Sequence, residues 1–453
     1  MSQAIRILRA LVALPWKIAT ILLAPFVGLW RRLSQATRIL LALIAGLLIG
    51  TAAAAFAPAL AIRAIAWTQP IGHAWLHGLQ MVIVPLIMGL LITGIGAAAN
   101  AARAGRIAMR AVLSFIAILW TTTIMSAFVM PVLLELWPLP ESLSHALRQS
   151  LTGARPVGTV PTLSDFFDTI VPSNVVAAAA ADAFLPLTIF SLALAFAITQ
   201  LAPAQRKLLT DLFQAFTDAM LVIIGWVLKL APIGVFALAY GVGAQTGTGA
   251  IGALLHYIVM VSSIGFIVLL LAYPLAMIVG RVSLFRFARA VAPAQAVAIS
   301  TQSSLATLPA MLAASEELGA APATAGIVLP IAVAIFRATS PAMNLAVALY
   351  IAHWLGVPIG PGALFFGVVT AAITTMGSIS LPGTVSYIAS VAPVALAMHV
   401  PIEALGLLIA VETIPDLFRT VGNVTMDVAV TIGVARRSRG DVDSSDVPAV
   451  TLG

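Results

Sequence analysis

Residues 412–427 read ETIPDLFRTVGNVTMD, and they place four ionisable side chains in the last apolar segment of the chain. The sequence around them is strongly apolar: of 453 residues, 61% are hydrophobic and only 9% are charged, with a mean hydropathy of +1.09. Soluble domains average about 25% charged residues. The composition therefore indicates a polytopic membrane protein and excludes disordered, collagen-like and disulfide-stapled classes.

The polar residues of this last segment share one side of a helix. At about 100° per residue they fall within an arc of about 100°. A charged side chain inside a bilayer is costly, so the stripe is expected to face a protein interior that binds something. The alternative is internal pairing of Arg419 with Asp416 at i,i+3, which would leave two carboxylates without partners. The stripe consists of Glu412, Asp416, Arg419, Thr420, Asn423 and Asp427.

Eight long runs without Asp, Glu, Lys or Arg locate the membrane spans. A helix needs about 20 apolar residues to cross a bilayer, so the two longest runs hold more than one element each. Basic clusters occur in every second loop, which is typical of cytoplasmic loops. The sequence therefore predicts eight crossings with both termini cytoplasmic. The runs are 39–62, 64–102, 111–134, 183–205, 230–280, 290–315, 318–336 and 338–402.

The ends of the chain differ from this pattern. Residues 1–37 read as a basic amphipathic segment lying in the membrane interface, rather than as a signal peptide. Residues 38–438 are expected to form one membrane domain, with an external connection at 137–166. Residues 440–453 are a polar tail that we expect to be disordered.

Two apolar segments are interrupted at their centres. Run 290–315 contains STQSS at 300–304, and 363–395 contains GSISLPGT at 377–384. Unwound backbone at membrane depth is tolerated only where protein or a water-filled cavity satisfies it. A matching pair of interrupted segments points to a transporter site, where helix N-termini present N–H groups to an anion. The alternative is two proline-kinked spans.

The stretch from Asp416 to Asp427 resembles the last helix of the dicarboxylate/amino acid:cation symporters, the glutamate-transporter family. Other blocks of the sequence resemble the same family in a single register over about residues 36–438. These blocks are 85–110, 172–174, 231–236, 301–309 and 377–383. The resemblance implies an all-α polytopic membrane protein with eight transmembrane helices plus two re-entrant hairpins, the glutamate-transporter fold, assembled as a homotrimer. It further implies a scaffold, about 38–100 and 165–245, and a transport unit, about 105–136 and 250–435, that moves like an elevator.

The resemblance also assigns roles to the stripe. Arg419 aligns with the arginine that binds the substrate side-chain carboxylate, a task suited to its planar bidentate geometry. Asp416 aligns with the partner of the substrate ammonium, Thr420 lies near it, and Asn423 aligns with a group near the α-carboxylate. Asp427 aligns with a sodium-ligating aspartate. The other substrate-binding residues implied are Ser303, Ser304, Ser340, Ser380, Pro382 and Gly383.

The cation-binding positions depart from the family pattern. The seventh span normally carries NMDGT, and here residues 336–340 read FRATS. The third-span oxygen ligands are replaced by Phe115, Ile118 and Leu119, none of which offers a side-chain oxygen to a hard cation. Ala334 occupies the position of a threonine that binds another sodium ion in the family. Gln302 occupies the position of the arginine at the tip of the first hairpin. These losses predict reduced or absent sodium coupling.

Arg337 is gained in the seventh span, where an arginine needs a carboxylate. With it the core holds two arginines against three carboxylates, Glu412 included. Two interpretations stay open: Arg337 replaces the missing hairpin arginine beside Asp416, or its guanidinium stands in for sodium near Asp427.

The sequence therefore predicts a symporter, a secondary active transporter of acidic amino acids or C4-dicarboxylates, in a bacterial-type inner membrane. The coupling ion is sodium or a proton, with Glu412 as the candidate proton carrier, and no cofactor is expected. A buried carboxylate needs a positively charged partner, and the ammonium group of an amino acid substrate would supply one to Asp416. This favours an amino acid over a plain dicarboxylate. The alternatives are a proton-coupled or uncoupled dicarboxylate carrier and a transport-dead substrate sensor.

An enzyme is not expected, because HExxH and GxSxG motifs are absent and the six histidines are scattered. The absence of cysteine excludes thiol catalysis and thiolate metal sites. The net charge of +7 comes without a nucleic-acid-binding motif, so no nucleic-acid partner is expected. The composition predicts contact with the lipid bilayer, and the resemblance implies a small anionic substrate and two further copies of the chain as partners.

Overall fold

The computed structural model describes residues 33–103, 105–138, 172–181, 184–246, 249–377 and 384–438. Every regular element in those ranges is an α-helix, which confirms the all-α expectation for them. Most of the predicted interfacial segment 1–37, most of the loop 137–166 and all of the tail 440–453 lie outside the described residues.

The described ranges contain seventeen helices, several of which are separated by only a few residues. They are α1 (Gln35–Phe56), α2 (Pro58–Gln80), α3 (Ile83–Arg103), α4 (Arg106–Leu136), α5 (Val175–Ala180), α6 (Phe184–Gln200), α7 (Pro203–Lys229), α8 (Ala231–Thr246), α9 (Gly249–Ile278), α10 (Leu284–Thr301), α11 (Ser304–Glu317), α12 (Pro322–Ile335), α13 (Ser340–Leu355), α14 (Pro361–Gly377), α15 (Thr384–Ala397), α16 (Leu405–Leu408) and α17 (Thr413–Arg437).

Five helical stretches in the described ranges are long and apolar enough to cross a bilayer, so the chain is a multi-pass membrane protein. A sixth is added if Pro58–Leu86 and Met88–Ala97, bent by 43°, count as one span. The number eight stays a prediction, because α6 and α8 are short and the polar stripe of α17 lowers its hydropathy. The five stretches are Thr37–Phe56, Arg106–Leu136, Pro203–Lys229, Gly252–Ile278 and Pro322–Leu355.

The first interrupted segment is a helical hairpin. Helix α10 ends at Thr301, the left-handed Gln302 (φ 50°) turns the chain, and α11 begins at Ser304. The Ser303 hydroxyl caps α11 by accepting the Ala306 N–H at 3.2 Å, which satisfies a free donor of the first turn. The two helices pack against each other, so the interruption falls within the polar cluster that the sequence singles out.

The second interrupted segment has the same two-helix form. Helices α14 and α15 pack against each other, and residues 378–383 between them lie outside the described residues. Three of the predicted site residues, Ser380, Pro382 and Gly383, fall in that interval.

The seventh span is broken in its middle, which the charge-free runs do not predict. Helix α12 ends at Ile335 and α13 begins at Ser340, with Phe336 in an extended conformation. A threonine, a serine and a proline at 339–341 are typical of a helix start, and this signal is visible in the sequence. The break places Thr339 and Ser340, both buried, at the start of α13.

Helices α1 and α8 approach each other with almost no side chain between them. A Cβ atom added to Gly50 would lie 2.3 Å from the carbonyl oxygen of Tyr240, and one added to Gly46 would lie 2.6 Å from that of Phe236. Small residues permit this kind of close packing between helices in membranes. The contact holds α1 and α8 tightly together.

Candidate functional site

The polar stripe of α17 faces other helices rather than the protein surface. Arg419, Asn423 and Asp427 are buried, and so is Glu412, which precedes the first helical residue of α17. Helices α9, α10, α11 and α12 pack against α17. The two hairpin arms, the broken span and α9 therefore surround the charged residues.

Arg419 has three acceptors around its guanidinium group. Its Nη2 lies 2.6 Å from Oε1 of Glu412, and its Nη1 donates to Oδ1 of Asn344 at 2.7 Å. Its Nε lies 3.4 Å from Oδ1 of Asp416, so the i,i+3 contact weighed from the sequence exists but is the longer of the two ion pairs. The principal ionic partner of Arg419 is Glu412, two helical turns earlier.

Glu412 is hydrogen-bonded to Tyr257, which in turn contacts Tyr387. Its Oε2 accepts the hydroxyl proton of Tyr257 at 2.9 Å, and the hydroxyls of Tyr257 and Tyr387 lie 3.1 Å apart. Because Tyr257 gives its proton to Glu412, Tyr387 is the donor in the second contact. The chain of contacts connects α9, α15 and α17.

Sequence reasoning missed Asn344, Tyr257 and Tyr387. A signal for Asn344 exists, since it lies four residues after Ser340 and so on the same face of α13. The tyrosines carry no comparable pattern, because a tyrosine in an apolar helix usually marks packing or a membrane interface.

Asn423 is oriented by the broken span. Its Oδ1 accepts the backbone N–H of Thr339 at 2.9 Å and lies 2.6 Å from the Thr339 hydroxyl. That hydroxyl also lies 2.7 Å from the carbonyl oxygen of Arg419, and its single proton serves one of the two acceptors. The amide oxygen of Asn423 therefore binds Thr339, the residue that precedes the first helical residue of α13, and its amide nitrogen is a hydrogen-bond donor.

The remaining predicted site residues lie nearby or within the same helices. The hydroxyl of Thr420 donates to the carbonyl oxygen of Asp416 at 3.0 Å, a bond within α17. Ser303 and Ser304 are half-buried at the start of α11, and Ser340 is buried at the start of α13. The hairpin tip and the break thus each bring a helix N-terminus towards α17.

Arg337 lies in the break between α12 and α13 and interacts electrostatically with Asp416, Arg419 and Asp427. Among the described residues, the electrostatic effect of Asp416 on Arg337 exceeds that of Asp427. Asp427 is completely buried, and neither of its side-chain oxygens accepts a hydrogen bond from a described residue.

The positions of the expected cation ligands are filled by hydrocarbon. The rings of Phe115 and Phe336 stack with 4.4 Å between centroids and 13° between planes, and both are buried. Leu119 is buried beside them in the same core, and the carbonyl oxygen of Ala338 accepts the hydroxyl proton of Thr122 at 2.9 Å. These side chains do not fit a sodium ion, which needs several oxygen ligands.

The sequence of the chain matches a family profile and curated transport proteins. Residues 36–437 match the profile of the sodium:dicarboxylate symporter family. The proton/glutamate-aspartate symporter of Escherichia coli (strain K12) is 25% identical over 420 residues, covering 89% of this chain and 93% of the relative. A C4-dicarboxylate transport protein of Paracidovorax citrulli (strain AAC00-1) is 24% identical over 415 residues, covering 90% and 88%. The proton/sodium-glutamate symport protein of Bacillus subtilis (strain 168) is 25% identical over 368 residues, covering 79% and 83%.

Proposed function

Since this chain belongs to the sodium:dicarboxylate symporter family, we propose that it is a symporter of acidic amino acids or C4-dicarboxylates whose coupling to sodium is reduced or lost. Family membership confirms the resemblance carried by the last helix. It also makes the chain a transporter rather than an enzyme, because the curated relatives are transport proteins.

The observation that carries the proposal is the buried guanidinium of Arg419. It lies on a helix enclosed by the hairpin and the broken span, where it already binds a carboxylate at 2.6 Å. A planar guanidinium in a water-poor site recognises carboxylates with defined geometry. One carboxylate of the substrate binds Arg419, and the other end of the substrate lies near Asn423 and the N-terminus of α11. This arrangement accounts for the selection of a short acidic molecule.

Both substrate classes are compatible with Asp416. The preference for an amino acid requires an aspartate without a cationic partner, but Arg419 and Arg337 both lie close to Asp416. An ammonium group is therefore not needed to neutralise it. The relatives named for glutamate and aspartate and those named for C4-dicarboxylates are about equally similar to this chain. We propose that aspartate and succinate both bind.

The aromatic stack supports the loss of one sodium site. Phe115 and Phe336 stand where the family pattern places oxygen ligands, and the nearby carbonyl of Ala338 is engaged by Thr122. A proton is then the coupling ion that the remaining carboxylates allow. Arg337 supplies fixed positive charge beside them, and its stronger interaction with Asp416 favours the interpretation that it replaces the hairpin arginine.

The mode of transport follows the family. We propose an elevator movement of the unit built around α17 against a scaffold that includes α1 and α8, within a homotrimer in a bacterial-type inner membrane and with both termini cytoplasmic. The tight α1–α8 contact suits a rigid scaffold. The second candidate, a substrate sensor that does not transport, would share the same binding site.

The test is exchange of labelled aspartate and succinate by the full chain in proteoliposomes. A carrier exchanges internal for external substrate, whereas a sensor binds without exchange. Arg419→Ala is expected to lower affinity by about two to three decades, because breaking a buried charge pair costs about 3–5 kcal/mol. Arg437→Ala, at the exposed end of the same helix, is the matched control and should leave affinity unchanged. Unchanged affinity in Arg419→Ala would reject the assignment of the carboxylate site.

A further inference from the structure

The side-chain amide of Asn344 is oriented by Arg419. Its Oδ1 accepts a hydrogen bond from Nη1 of Arg419 at 2.7 Å, and the residue is completely buried on α13. Arginine carries only N–H donors, so the amide atom that faces it is the oxygen. The hydroxyl of Ser390 lies 3.5 Å from the same oxygen. The amide therefore cannot be turned round, and Nδ2 is the atom that stays available as a donor.

Nδ2 of Asn344 is buried, and no described residue accepts a hydrogen bond from it. A buried donor without an acceptor costs free energy, and such unpaired groups are few in a folded protein. This donor belongs to a residue in direct contact with the arginine that binds the substrate carboxylate. An unpaired donor in that position indicates where an acceptor supplied by a ligand would lie.

The guanidinium of Arg419 keeps two N–H donors for such a ligand. Glu412 faces Nη2, Asn344 accepts from Nη1 and Asp416 faces Nε, so three of the five donors are engaged and one remains on each terminal nitrogen. An acceptor on the second proton of Nη1 becomes a neighbour of the Asn344 amide, because only the angle between two N–H bonds separates them. A carboxylate bound there has Nδ2 of Asn344 as a second donor.

We propose that Nδ2 of Asn344 donates to the substrate carboxylate held by Arg419, and that this contact makes the site select a carboxylate over an amide of the same shape. The inference rests on the proposed function and names a specificity-determining residue of the same site.

The selectivity follows from the donor pattern of the two ligand groups. A carboxylate offers only acceptors, which suit both Nη1 of Arg419 and Nδ2 of Asn344. The amide of L-asparagine can place its oxygen on Arg419, but its NH₂ group then faces Nδ2, so that two donors meet without an acceptor. A site built around a buried polar group rejects a ligand that leaves that group unpaired.

The experiment is calorimetric titration of the purified full chain with L-aspartate and with L-asparagine, and with succinate as a second acidic ligand. The wild-type protein is expected to bind L-aspartate about ten- to a hundredfold more tightly than L-asparagine, since hydrogen bonds to charged groups are the stronger ones.

Asn344→Asp keeps an oxygen for Nη1 of Arg419 but replaces the donor with an acceptor. It is expected to bind L-aspartate at least about tenfold more weakly than the wild-type protein does. It should bind L-asparagine more tightly than the wild-type protein does, because the NH₂ group of that ligand donates to the introduced carboxylate.

The gain in affinity for L-asparagine separates the proposal from a merely structural role. A distorted site would bind both ligands more weakly, and charge repulsion alone would weaken L-aspartate binding without strengthening that of L-asparagine. The matched control, Asn174→Asp, makes the same chemical change at the exposed residue that caps α5, where an aspartate caps equally well. It should retain the wild-type affinities.

Asn344→Leu provides a second variant of similar size in case Asn344→Asp does not fold. It removes the donor without adding charge, so the preference for L-aspartate over L-asparagine should shrink, whereas Asn344→Gln keeps both amide groups and should keep the preference. A wild-type preference in Asn344→Leu, or an Asn344→Asp variant that binds L-asparagine no better than the wild-type protein, would overturn the proposal. If the wild-type protein binds neither L-aspartate nor succinate, the proposed function itself has failed.

Discussion

The ring of Phe115 stacks face to face on the ring of Phe336, with 4.4 Å between their centroids and an angle of 13° between their planes. The contact joins α4 to the break in the seventh span, and both rings are buried. Oxygen ligands stand at these positions in the family pattern. The stack therefore fills with hydrocarbon the positions at which the resemblance implies cation ligands.

The stack is expected to stabilise the fold directly. Phe336→Ala should lower the free energy of unfolding by about 3–5 kcal/mol, because it removes a buried ring and leaves a cavity. Phe285→Ala is the matched control, since Phe285 is 85% exposed and its removal leaves no cavity. Denaturation of both variants in detergent measures the difference, and equal stabilities would show that the stack contributes nothing.

Arg337→Met distinguishes the two interpretations of Arg337. Since Asp416 is its stronger carboxylate neighbour, we expect the variant to lose aspartate affinity in choline buffer, and sodium should not restore it. Adding Gln302→Arg should restore the affinity, because an arginine at the hairpin tip then replaces the lost charge. Titration of the single and double variants in both buffers gives the answer. Recovery with sodium in the single variant would show that Arg337 stands in for the ion instead.

Thr339 is expected to act on binding through Asn423. Thr339→Val keeps the branched shape but removes the hydroxyl that lies 2.6 Å from Asn423 and 2.7 Å from the Arg419 carbonyl. Oδ1 of Asn423 keeps the hydrogen bond from the Thr339 backbone N–H, so the variant loses one hydrogen bond. Such a bond contributes about 0.5–1.5 kcal/mol, and aspartate affinity should fall by about two- to tenfold. Thr339→Ser keeps the hydroxyl and should bind normally. A normal affinity in the valine variant would reduce Thr339 to a packing residue.

The contact between α1 and α8 gives a prediction away from the site. Gly50→Ala should destabilise the protein, because its Cβ would meet the Tyr240 carbonyl oxygen at 2.3 Å. Gly225→Ala is the control: a Cβ there meets nothing within 4 Å, and alanine is the better helix former. Thermal unfolding of the two variants should shift in opposite directions. A Gly50→Ala variant as stable as the wild-type protein would mean that the helices are not held this closely.

The sequence predicts some features of the site well because they are local. The interruption at Gln302 and Ser303 follows from a polar cluster within an apolar run. The one-sided stripe of α17 follows from helical periodicity alone. Both depend on neighbours in the chain, which a single sequence displays.

Contacts between distant elements are much harder to predict. Glu412 and Arg419 are seven residues apart and share a helix face, so the sequence permits their pairing, yet Asp416 is nearer to Arg419 in sequence. Tyr257 and Asn344 join the network only because α9 and α13 pack around the start of α17. Which neutral polar residue reaches a buried charge is decided by tertiary packing, and one sequence does not contain that information.

The most direct test of the account is accumulation of labelled aspartate in proteoliposomes under an imposed ion gradient. We expect an inward proton gradient in choline buffer to drive accumulation, and an inward sodium gradient at equal pH on both sides to drive little or none. Accumulation that requires sodium and does not depend on the proton gradient would contradict the account. Transport would then be coupled to sodium although Phe115 and Phe336 fill the positions of the expected sodium ligands.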